Sequence, residues 1–232
     1  MSIIIKDYQQ GSQEWLEARK ELITCSNALL LIDRGKNACR IANADAAARL
    51  TPNGNMYAER GHVLENEIRE MFNEDLKKSG LEIREAGLLL NTDFPDAGYS
   101  PDGLVCKISD PTDKYFGIVE IKAYNDVVSR KGGPKTLKLN SHERIVDTYY
   151  GDDGELYSHV YVGKHARACA NYMDVPLNAQ MQIQMELLIS EAETCFLLLY
   201  NPDAAEGTPQ LKIHEVAPDP ELQEILRQRL RN

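Results

Sequence analysis

The chain has 232 residues, of which 43% are hydrophobic and 27% are charged. This composition excludes a disordered or fibrous protein and is sufficient for one hydrophobic core. We therefore expect one compact domain over residues 1–232. The formal net charge of −10 argues against a protein that coats nucleic acid, because Lys and Arg dominate phosphate contacts. It does not exclude a locally basic channel beside a carboxylate site that binds cations.

No segment has the length of a membrane span, and the first residues lack the basic start of a secretion signal. We therefore expect a cytosolic protein with no membrane partner. The cysteines are scattered and form no C-x-x-C pair, which favours reduced, buried thiols and argues against an iron–sulfur cluster or a zinc ribbon. They are Cys25, Cys39, Cys106, Cys169 and Cys195.

The first third of the chain is predicted to be helical. Ser12 is a good N-cap for a short helix in which Trp15 begins an apolar face and is expected to anchor the core. Ser79-Gly80 stops the longest helix, whose apolar residues recur at helical spacing. The predicted helices are Ser12–Lys20, one that follows Thr24 or Ser26, Asn37–Leu50, which ends at the turn cluster 51–55, and Met56–Lys78.

Short apolar runs bounded by Gly, Pro and Asp then predict strands of one sheet. These runs are Leu81–Leu90, Gly98–Lys107 and Tyr115–Lys122. The region around 125–175 is predicted to be an insertion with a hairpin, Arg144–Tyr150 and Glu155–Val162, around the turn 151–154. The C-terminal part is predicted to contain helix Leu177–Ser190, strands Thr194–Asn201 and Leu211–Val216, and a helix that starts at Asp219-Pro220. This order predicts an α/β (α+β) fold.

Two short segments carry candidate chemistry. Asp102 lies in a turn, and Glu120 and Lys122 lie two residues apart on the following strand. Alternate side chains of a strand share a face, so Glu120 and Lys122 project together while Ile121 points into the core. If the segment with Asp102 lies beside this strand, Asp102, Glu120 and the Ile121 carbonyl offer hard oxygen ligands that suit Mg²⁺ or Mn²⁺.

Such a site fits phosphodiester hydrolysis, which needs an activated water and cations to take up charge. Asp102 would bridge one or two metal ions, and Glu120 would hold the first. Lys122 would orient or help to deprotonate the attacking water and stabilise the developing charge. The alternative interpretation is an exposed Glu and Lys on an edge strand, with Asp102 as a turn former.

Ser100-Pro101-Asp102-Gly103 followed by Glu120-Ile121-Lys122 resembles the lambda-exonuclease, or YqaJ-type, viral recombinase family. Three further blocks resemble family elements in the same order. They are Trp15 to Ser26 (WLEARKELITCS), Gly61-x-x-x-Glu65, and Ala179-Gln180-Met181-Gln182 with Met185. Four ordered matches cover most of the chain, which makes chance similarity a poor explanation.

The resemblance implies a restriction-endonuclease-like PD-(D/E)xK core, with a central mixed sheet flanked by helices. It implies a Mg²⁺-dependent nuclease, with two ions in each active site, that degrades one strand of linear duplex DNA from the 5′ end. The 3′ overhangs would serve phage-type recombination by strand annealing. The implied partners are double-stranded DNA ends, two further copies of the chain in a homotrimeric ring, and a phage single-strand annealing protein.

Carried over by position, the resemblance assigns the terminal 5′ phosphate to Arg19 and Ser26, which are good donors to phosphate oxygens. It adds Glu65 and Gln180 to the active centre. The residues would then divide into catalytic Asp102, Glu120, Lys122, Glu65 and Gln180, metal-binding Asp102, Glu120 and Ile121, and phosphate-binding Arg19 and Ser26.

Two departures from the family pattern leave questions open. The family has a second acidic residue before its S-P-D-G turn, for which Asp93 and Asp96 are both candidates. The insertion after Lys122 carries four basic residues that would grip DNA, alter the trimer or contact a partner. They are Arg130, Lys131, Lys135 and Lys138.

Two other functions fit the same sequence. One is a RecB-like nuclease that acts on single strands or as an endonuclease, because it shares the same D…E-x-K core. The other is a non-catalytic acidic protein that binds a host DNA-processing enzyme and retains only the fold. Complete carboxylate and lysine positions argue against the second.

Overall fold

The computed structural model describes residues 3–49, 56–110, 114–123, 126–139, 143–151, 153–162, 177–200 and 210–232. The helices are α1 (Gln13–Lys20), α2 (Ala28–Arg34), α3 (Lys36–Arg49), α4 (Met56–Lys77), α5 (Leu177–Ser190) and α6 (Pro220–Arg231). The strands are β1 (Ile3–Lys6), β2 (Ile23–Thr24), β3 (Leu81–Arg84), β4 (Leu88–Asn91), β5 (Ala97–Tyr99), β6 (Gly103–Lys107), β7 (Tyr115–Ala123), β8 (Asp126–Lys131), β9 (Glu143–Tyr150), β10 (Leu156–Val162), β11 (Thr194–Tyr200) and β12 (Leu211–Val216).

The helices begin where the sequence predicts them to begin. Ser12 Oγ accepts a hydrogen bond from the Trp15 backbone N–H and caps α1. Asp219 caps α6 by accepting from the N–H groups of Glu221 and Leu222, and Pro220 occupies the first helical position. Each cap satisfies N–H groups that a helix start leaves without an intrahelical partner. The predicted turn cluster at 51–55 lies outside the described residues.

The larger sheet is mixed and has the strand order β12-β11-β7-β6-β3. β7 occupies its centre, antiparallel to β6 and parallel to β11. Val119 and Ile121 of β7 pack with α4 residues Ile68 and Phe72 in one apolar cluster. Ile118 and Glu120 alternate with them and therefore project from the opposite face of the sheet. This alternation places Glu120 on the face of β7 that does not pack against α4.

A second sheet has the order β1-β4-β5-β2. The prediction that the runs from Leu81 to Lys122 form one sheet is therefore wrong, because β4 and β5 belong here while β3, β6 and β7 belong to the larger sheet. The run Leu81–Leu90 breaks at Gly87, where the backbone passes against Lys6 and Tyr8. A Cβ at Gly87 would collide with the Lys6 carbonyl oxygen, so the crossing between the sheets needs glycine.

A third sheet, β8-β10-β9, forms within the predicted insertion. β9 and β10 are antiparallel neighbours that pair Tyr150 with Leu156, so a hairpin lies where the sequence predicts one. β8, which the sequence analysis did not predict, pairs with the other edge of β10. The Gly132 N–H donates to the Leu156 carbonyl and holds the segment after β8 against the hairpin. Residues 163–176 of the insertion lie outside the described part of the chain.

Helix α5 packs among α2, α6 and strands of both larger sheets. From Met181 to Ser190 every residue is buried except the half-buried Gln182, so this helix is apolar on most sides. Buried polar groups need partners, because an unpaired donor or acceptor in an apolar interior is costly. The few buried polar side chains of α5 therefore indicate where this helix meets polar groups of other elements.

Candidate active site

The start of β6 brings Asp102, the residue before it, beside β7. Gly103 pairs with Val119, which places Asp102 opposite the next residues of β7. Asp102 Oδ2 accepts a hydrogen bond from the Ile121 N–H at 2.7 Å. The backbone of the central strand thus orients the Asp102 carboxyl, and the proximity expected from the sequence is present.

Glu120 and Lys122 lie on one face of β7 and form an ion pair between Oε1 and Nζ. Both side chains are largely removed from water, with exposures of 6% for Glu120 and 16% for Lys122. Burial alone would lower the pKa of Lys122, but the negative charges of Glu120, Asp102 and Glu186 outweigh it and raise the pKa. The lysine is therefore an ammonium ion that balances a group of carboxyls, and it is not an exposed edge-strand residue.

Asp102 lies close to two other carboxyls. Burial raises its pKa well above the usual range, and the charges of Glu120 and Glu65 raise it further. Glu65 belongs to α4, so three separate elements supply these acids. Like charges confined in this way repel one another, and a bound cation would relieve the repulsion.

Helix α5 contributes Gln182 and Glu186 to the same place. Gln182 Nε2 donates to Glu120 Oε1 at 2.6 Å and to Glu186 Oε1 at 2.8 Å. The two residues share a helix face because they are four positions apart. Gln180, assigned to the active centre from the resemblance, is exposed and does not line the cavity that contains Lys122. Two helical positions correspond to about 200°, so Gln180 and Gln182 face opposite sides of α5.

Arg19 reaches this region from α1. Its guanidinium carbon lies 4.2 Å from the centre of the Trp15 ring, in a cation–π arrangement. Trp15 Nε1 donates to Ser100 Oγ at 2.6 Å. Trp15 is half-buried, so the expectation of a core anchor is wrong. Instead it connects Arg19 to the S-P-D-G turn. Burial lowers the pKa of Arg19, but its side chain remains a cation.

Ser26 lies in the turn between β2 and α2. Thr24 Oγ1 is 3.2 Å from Ser26 Oγ and donates to Asn43 Oδ1. Asn27 Nδ2 also donates to Asn43 Oδ1, at 2.7 Å. These bonds tie the turn to α3 and leave Ser26 exposed at its edge. The sequence predicts Ser26 as a donor, but the residues that hold it in place could not be recognised from the sequence.

Twelve residues line one cavity of about 130 Å³, which we call the Lys122 cavity. They are Arg19, Cys25, Ser26, Glu65, Tyr99, Ser100, Asp102, Glu120, Ile121, Lys122, Gln182 and Glu186. Glu65 and Asp102 also line a larger neighbouring cavity of about 650 Å³. Its wall includes residues 7–10, Asn66 and Arg69. Two acids therefore lie at the boundary between a small polar cavity and a larger one.

The model of the YqaJ-like viral recombinase domain matches residues 14–151. The chain belongs to this family. The match contains the segment that begins at Trp15, the S-P-D-G turn and the E-I-K strand, and it ends before α5. The YqaJ-like domain therefore includes all of the Lys122 cavity except Gln182 and Glu186.

Solved structures share the fold. An alkaline exonuclease (LHK-Exo) from Laribacter hongkongensis is 18% identical, with a TM-score of 0.57 over 95% of this chain and 89% of that chain. LHK-Exo in complex with dAMP gives 16% identity and the same TM-score over 94% and 89% of the two chains. The mixed sheet flanked by helices is thus the predicted restriction-endonuclease-like core. No curated protein sequence matches the chain.

The donors in this YqaJ-like cavity are the type that hard divalent cations prefer. Asp102, Glu120 and Glu65 supply carboxylate oxygens. The described residues that line the cavity include no histidine, and their one sulfur is the buried Cys25 thiol. The mutual repulsion of the carboxylates also fits a cation. Within the described part of the chain, no three such side chains form a preassembled cluster that could hold a metal ion. Asp102, Glu120 and Glu65 would hold such a cation through their carboxylate oxygens.

Neither candidate for the second acid before the turn reaches the Lys122 cavity. Asp96 pairs with Lys36 at 3.4 Å and with Arg40 at 3.2 Å. Asp93 is exposed and lines a separate cavity beside the end of α5. Glu65 and Glu186 are instead the acids that accompany Asp102 and Glu120. Glu186 was missed because the sequence does not show which way a mostly buried helix is turned.

Four of the five cysteines are described, and they are buried, free thiols. They are Cys25, Cys39, Cys106 and Cys195, and Cys169 lies outside the described residues. Burial raises the pKa of Cys25 well above its usual range, so its thiol stays protonated at the wall of the cavity. None of the described helices is long and apolar enough to cross a membrane.

Proposed function

We propose that this chain is a metal-dependent deoxyribonuclease that degrades one strand of linear duplex DNA from its 5′ end. One observation carries the proposal. A single cavity brings together the acids Asp102 and Glu120, the cation Lys122 and a second cation, Arg19. Membership of the YqaJ-like family and the fold shared with an alkaline exonuclease support the same activity.

The hydrolytic residues divide between two tasks. Asp102 and Glu120, with Glu65 and the Ile121 carbonyl, would hold Mg²⁺ or Mn²⁺, as one or two ions. Bound there, a divalent ion supplies an activated water and takes up charge on the phosphate. Lys122 orients the attacking water and stabilises the negative charge that develops on the phosphate. Gln182 holds Glu120 in place through the bond at 2.6 Å.

We assign the terminal phosphate to the part of the Lys122 cavity that Arg19 and Ser26 line. Arg19 has no carboxylate partner among the described residues, and its guanidinium lies over the Trp15 ring. Its guanidinium therefore retains donors for phosphate oxygens, which Ser26 and Ser100 supplement. A 5′ phosphate bound there would place the next phosphodiester near Asp102 and Glu120. The larger cavity on the far side of these acids has room for the continuing strand.

The deciding experiment is digestion of linear duplex DNA labelled at either the 5′ or the 3′ end, with Mg²⁺ and with chelator. Loss of label from 5′ ends that requires Mg²⁺, with closed circular DNA intact, is expected. Cutting of the circle would favour the RecB-like endonuclease, and cutting of single strands alone would favour its single-strand form. No cutting with any divalent metal would support the non-catalytic binding protein.

A separate variant tests the proposal that Arg19 binds the terminal 5′ phosphate. Arg19→Ala should reduce the preference for a 5′-phosphorylated over a 5′-hydroxyl duplex by about 10–100-fold, because a charge-assisted pair contributes about 1.5–3 kcal/mol. Cleavage of an internal phosphodiester already placed in the site should change less. Lys20→Ala, on the exposed side of α1 and paired with Glu17, is the matched control. Equal preference in Arg19→Ala and wild type would remove Arg19 from phosphate binding.

The biological setting of the proposal follows the family. We place the enzyme in phage-type recombination, where the 3′ overhangs pass to a single-strand annealing protein. We also propose a homotrimeric ring that encloses the DNA. Light scattering of the purified chain would test the ring, since a mass near three times 26.1 kDa is expected. A monomeric mass at assay concentration would contradict it.

A further inference from the structure

Glu186 is a buried carboxyl behind the hydrolytic residues. Its side chain belongs to α5 and is 2% exposed. One oxygen, Oε1, accepts the hydrogen bond from Gln182 Nε2 at 2.8 Å. The other, Oε2, is buried and has no hydrogen-bond partner among the described residues. A buried carboxyl with one oxygen left without a hydrogen bond is costly, whereas an apolar side chain would fill the same space without that cost.

The Gln182 amide explains how Glu186 acts on the site. A primary amide nitrogen carries two hydrogens, and both are used here, one by Glu120 Oε1 and one by Glu186 Oε1. Rotating the amide by half a turn would point its carbonyl oxygen at two carboxyls instead. The two acceptors therefore fix the amide from both sides. Without the bond to Glu186, Gln182 would keep one contact and gain freedom to rotate.

We propose that Glu186 is a positioning residue for phosphodiester hydrolysis, which holds the Gln182 amide so that it fixes the Glu120 carboxylate. The inference rests on the proposed function, because Glu120 matters only if it holds the metal ion. Groups that orient the ligands of a metal typically alter metal affinity or activity by about 10–100-fold when they are removed. Glu186 positions Glu120 only through Gln182, so we expect a loss of about tenfold.

The protonation state of Glu186 determines which variants are informative. Burial raises the pKa of Glu186 well above its usual range, and the neighbouring charge of Glu120 adds to the effect. Burial therefore favours an uncharged side chain at this position more than the surface would. Gln is the uncharged isostere of Glu and keeps a carbonyl acceptor for Gln182, whereas Leu has a similar size and no acceptor. Glu186→Gln should preserve the positioning, and Glu186→Leu should remove it.

A matched control exists on the same helix. Gln184 is also buried, but its Nε2 donates to the Ala217 carbonyl and its Oε1 accepts from the Asp219 N–H. It supports the start of α6 and has no contact with Glu120 among the described residues. Gln184→Leu therefore measures the effect of losing a buried polar group from α5 without disturbing Gln182.

The experiment measures kcat, KM for duplex DNA and the Mg²⁺ concentration that gives half-maximal rate, in wild type and the three variants. Glu186→Leu should lower kcat about tenfold and raise that Mg²⁺ concentration, with little change in KM. Glu186→Gln should stay within about threefold of wild type. Gln184→Leu should lower the Tm but keep kcat and the Mg²⁺ requirement.

A second measurement needs no catalysis. Ca²⁺ or Mg²⁺ added without DNA should raise the Tm of wild type and Glu186→Gln, because a ligand that binds the folded state stabilises it. Glu186→Leu should show a smaller rise. If Glu186→Leu does not fold, Glu186→Asp, which withdraws the acceptor by one methylene, serves in its place and should also lower kcat.

Two results would overturn the inference. One is a wild-type kcat, Mg²⁺ requirement and metal-induced Tm shift in Glu186→Leu. The other is a loss that Gln184→Leu reproduces and Glu186→Gln does not rescue, because that loss would be one of stability alone. If wild type cleaves no DNA, the proposed function fails, and the metal-induced Tm shifts still decide whether Glu186 positions a metal ligand.

Discussion

The Lys122 cavity and the sheet β8-β10-β9 use the same kinds of charged residue in opposite environments. In the cavity, Lys122 and Glu120 are 16% and 6% exposed. On the sheet β8-β10-β9, which we call the outer sheet, Lys131 and Glu155 lie 3.4 Å apart with exposures of 61% and 56%. Water screens the second pair, whereas the first depends on protein groups alone.

This difference in exposure indicates which of the two ion pairs has a role beyond solubility. A buried ion pair is costly to assemble, and replacing it by apolar residues is often neutral or stabilising. The chain nevertheless places three acids and a lysine in one dry region and gives them specific partners. Such an arrangement is more typical of a reaction site than of a stabilising device. The outer pair requires no such explanation.

Removing Lys122 should have the largest effect. Lys122→Ala leaves Glu120, Asp102 and Glu186 without their cation, so cleavage should fall by about 10³-fold or more. Breaking a buried pair should also lower the free energy of unfolding by about 3–5 kcal/mol. Single-turnover cleavage is measured at a temperature where circular dichroism shows the variant folded.

The control for this variant is Lys131→Ala, which removes an exposed lysine of the same type. Lys122→Met tests the charge separately, because its unbranched thioether side chain has a length close to that of the lysine stem and carries no ammonium group. Rapid cleavage by folded Lys122→Ala would show that the ammonium has no part in hydrolysis. The contrast between the buried and the exposed pair would then lose its functional meaning.

Two glutamines of α5 give the next largest contrast. Gln182→Leu should lower kcat by about 10–100-fold, because Glu120 loses the bond at 2.6 Å. Gln180→Leu should remain within about twofold, since exposed substitutions commonly change energies by less than about 0.5 kcal/mol. The ratio of the two kcat values is the measurement. A greater loss in Gln180→Leu would mean that α5 is turned the other way in the active enzyme.

These glutamines show where the sequence is sufficient and where it is not. The caps Ser12 and Asp219 act on N–H groups two or three residues away, so the helix starts could be predicted locally. The two faces of β7 could also be predicted, because strand side chains alternate. The rotation of α5 could not, since its buried residues surround most of the helix and leave no clear polar face.

The division of the strands between two sheets could not be predicted for a related reason. Leu81–Leu90 is an almost continuous apolar run, and only the close approach of Gly87 to the N-terminal segment marks the break. In the candidate site too, local sequence was sufficient for some residues and tertiary packing decided the others. Asp102, Glu120 and Lys122 could be predicted from one turn and one strand. Glu186 lies 66 residues after Glu120 in the chain and comes close to it only because α5 packs against β7.

The exposed pair of the outer sheet should give the smallest effect. Lys131→Ala should change the free energy of unfolding by less than about 1 kcal/mol, because an exposed pair at 3.4 Å gains little over hydration. Urea denaturation in low and in high salt measures this change, and Glu155→Gln should match it from the acidic side. The kcat on short duplexes should stay at the wild-type value, since Lys131 does not line the Lys122 cavity. A rise in KM for long duplexes that disappears in high salt would show that this sheet contacts the DNA backbone. A stability loss of several kcal/mol would instead show that exposure is a poor guide to which ion pairs matter in this fold.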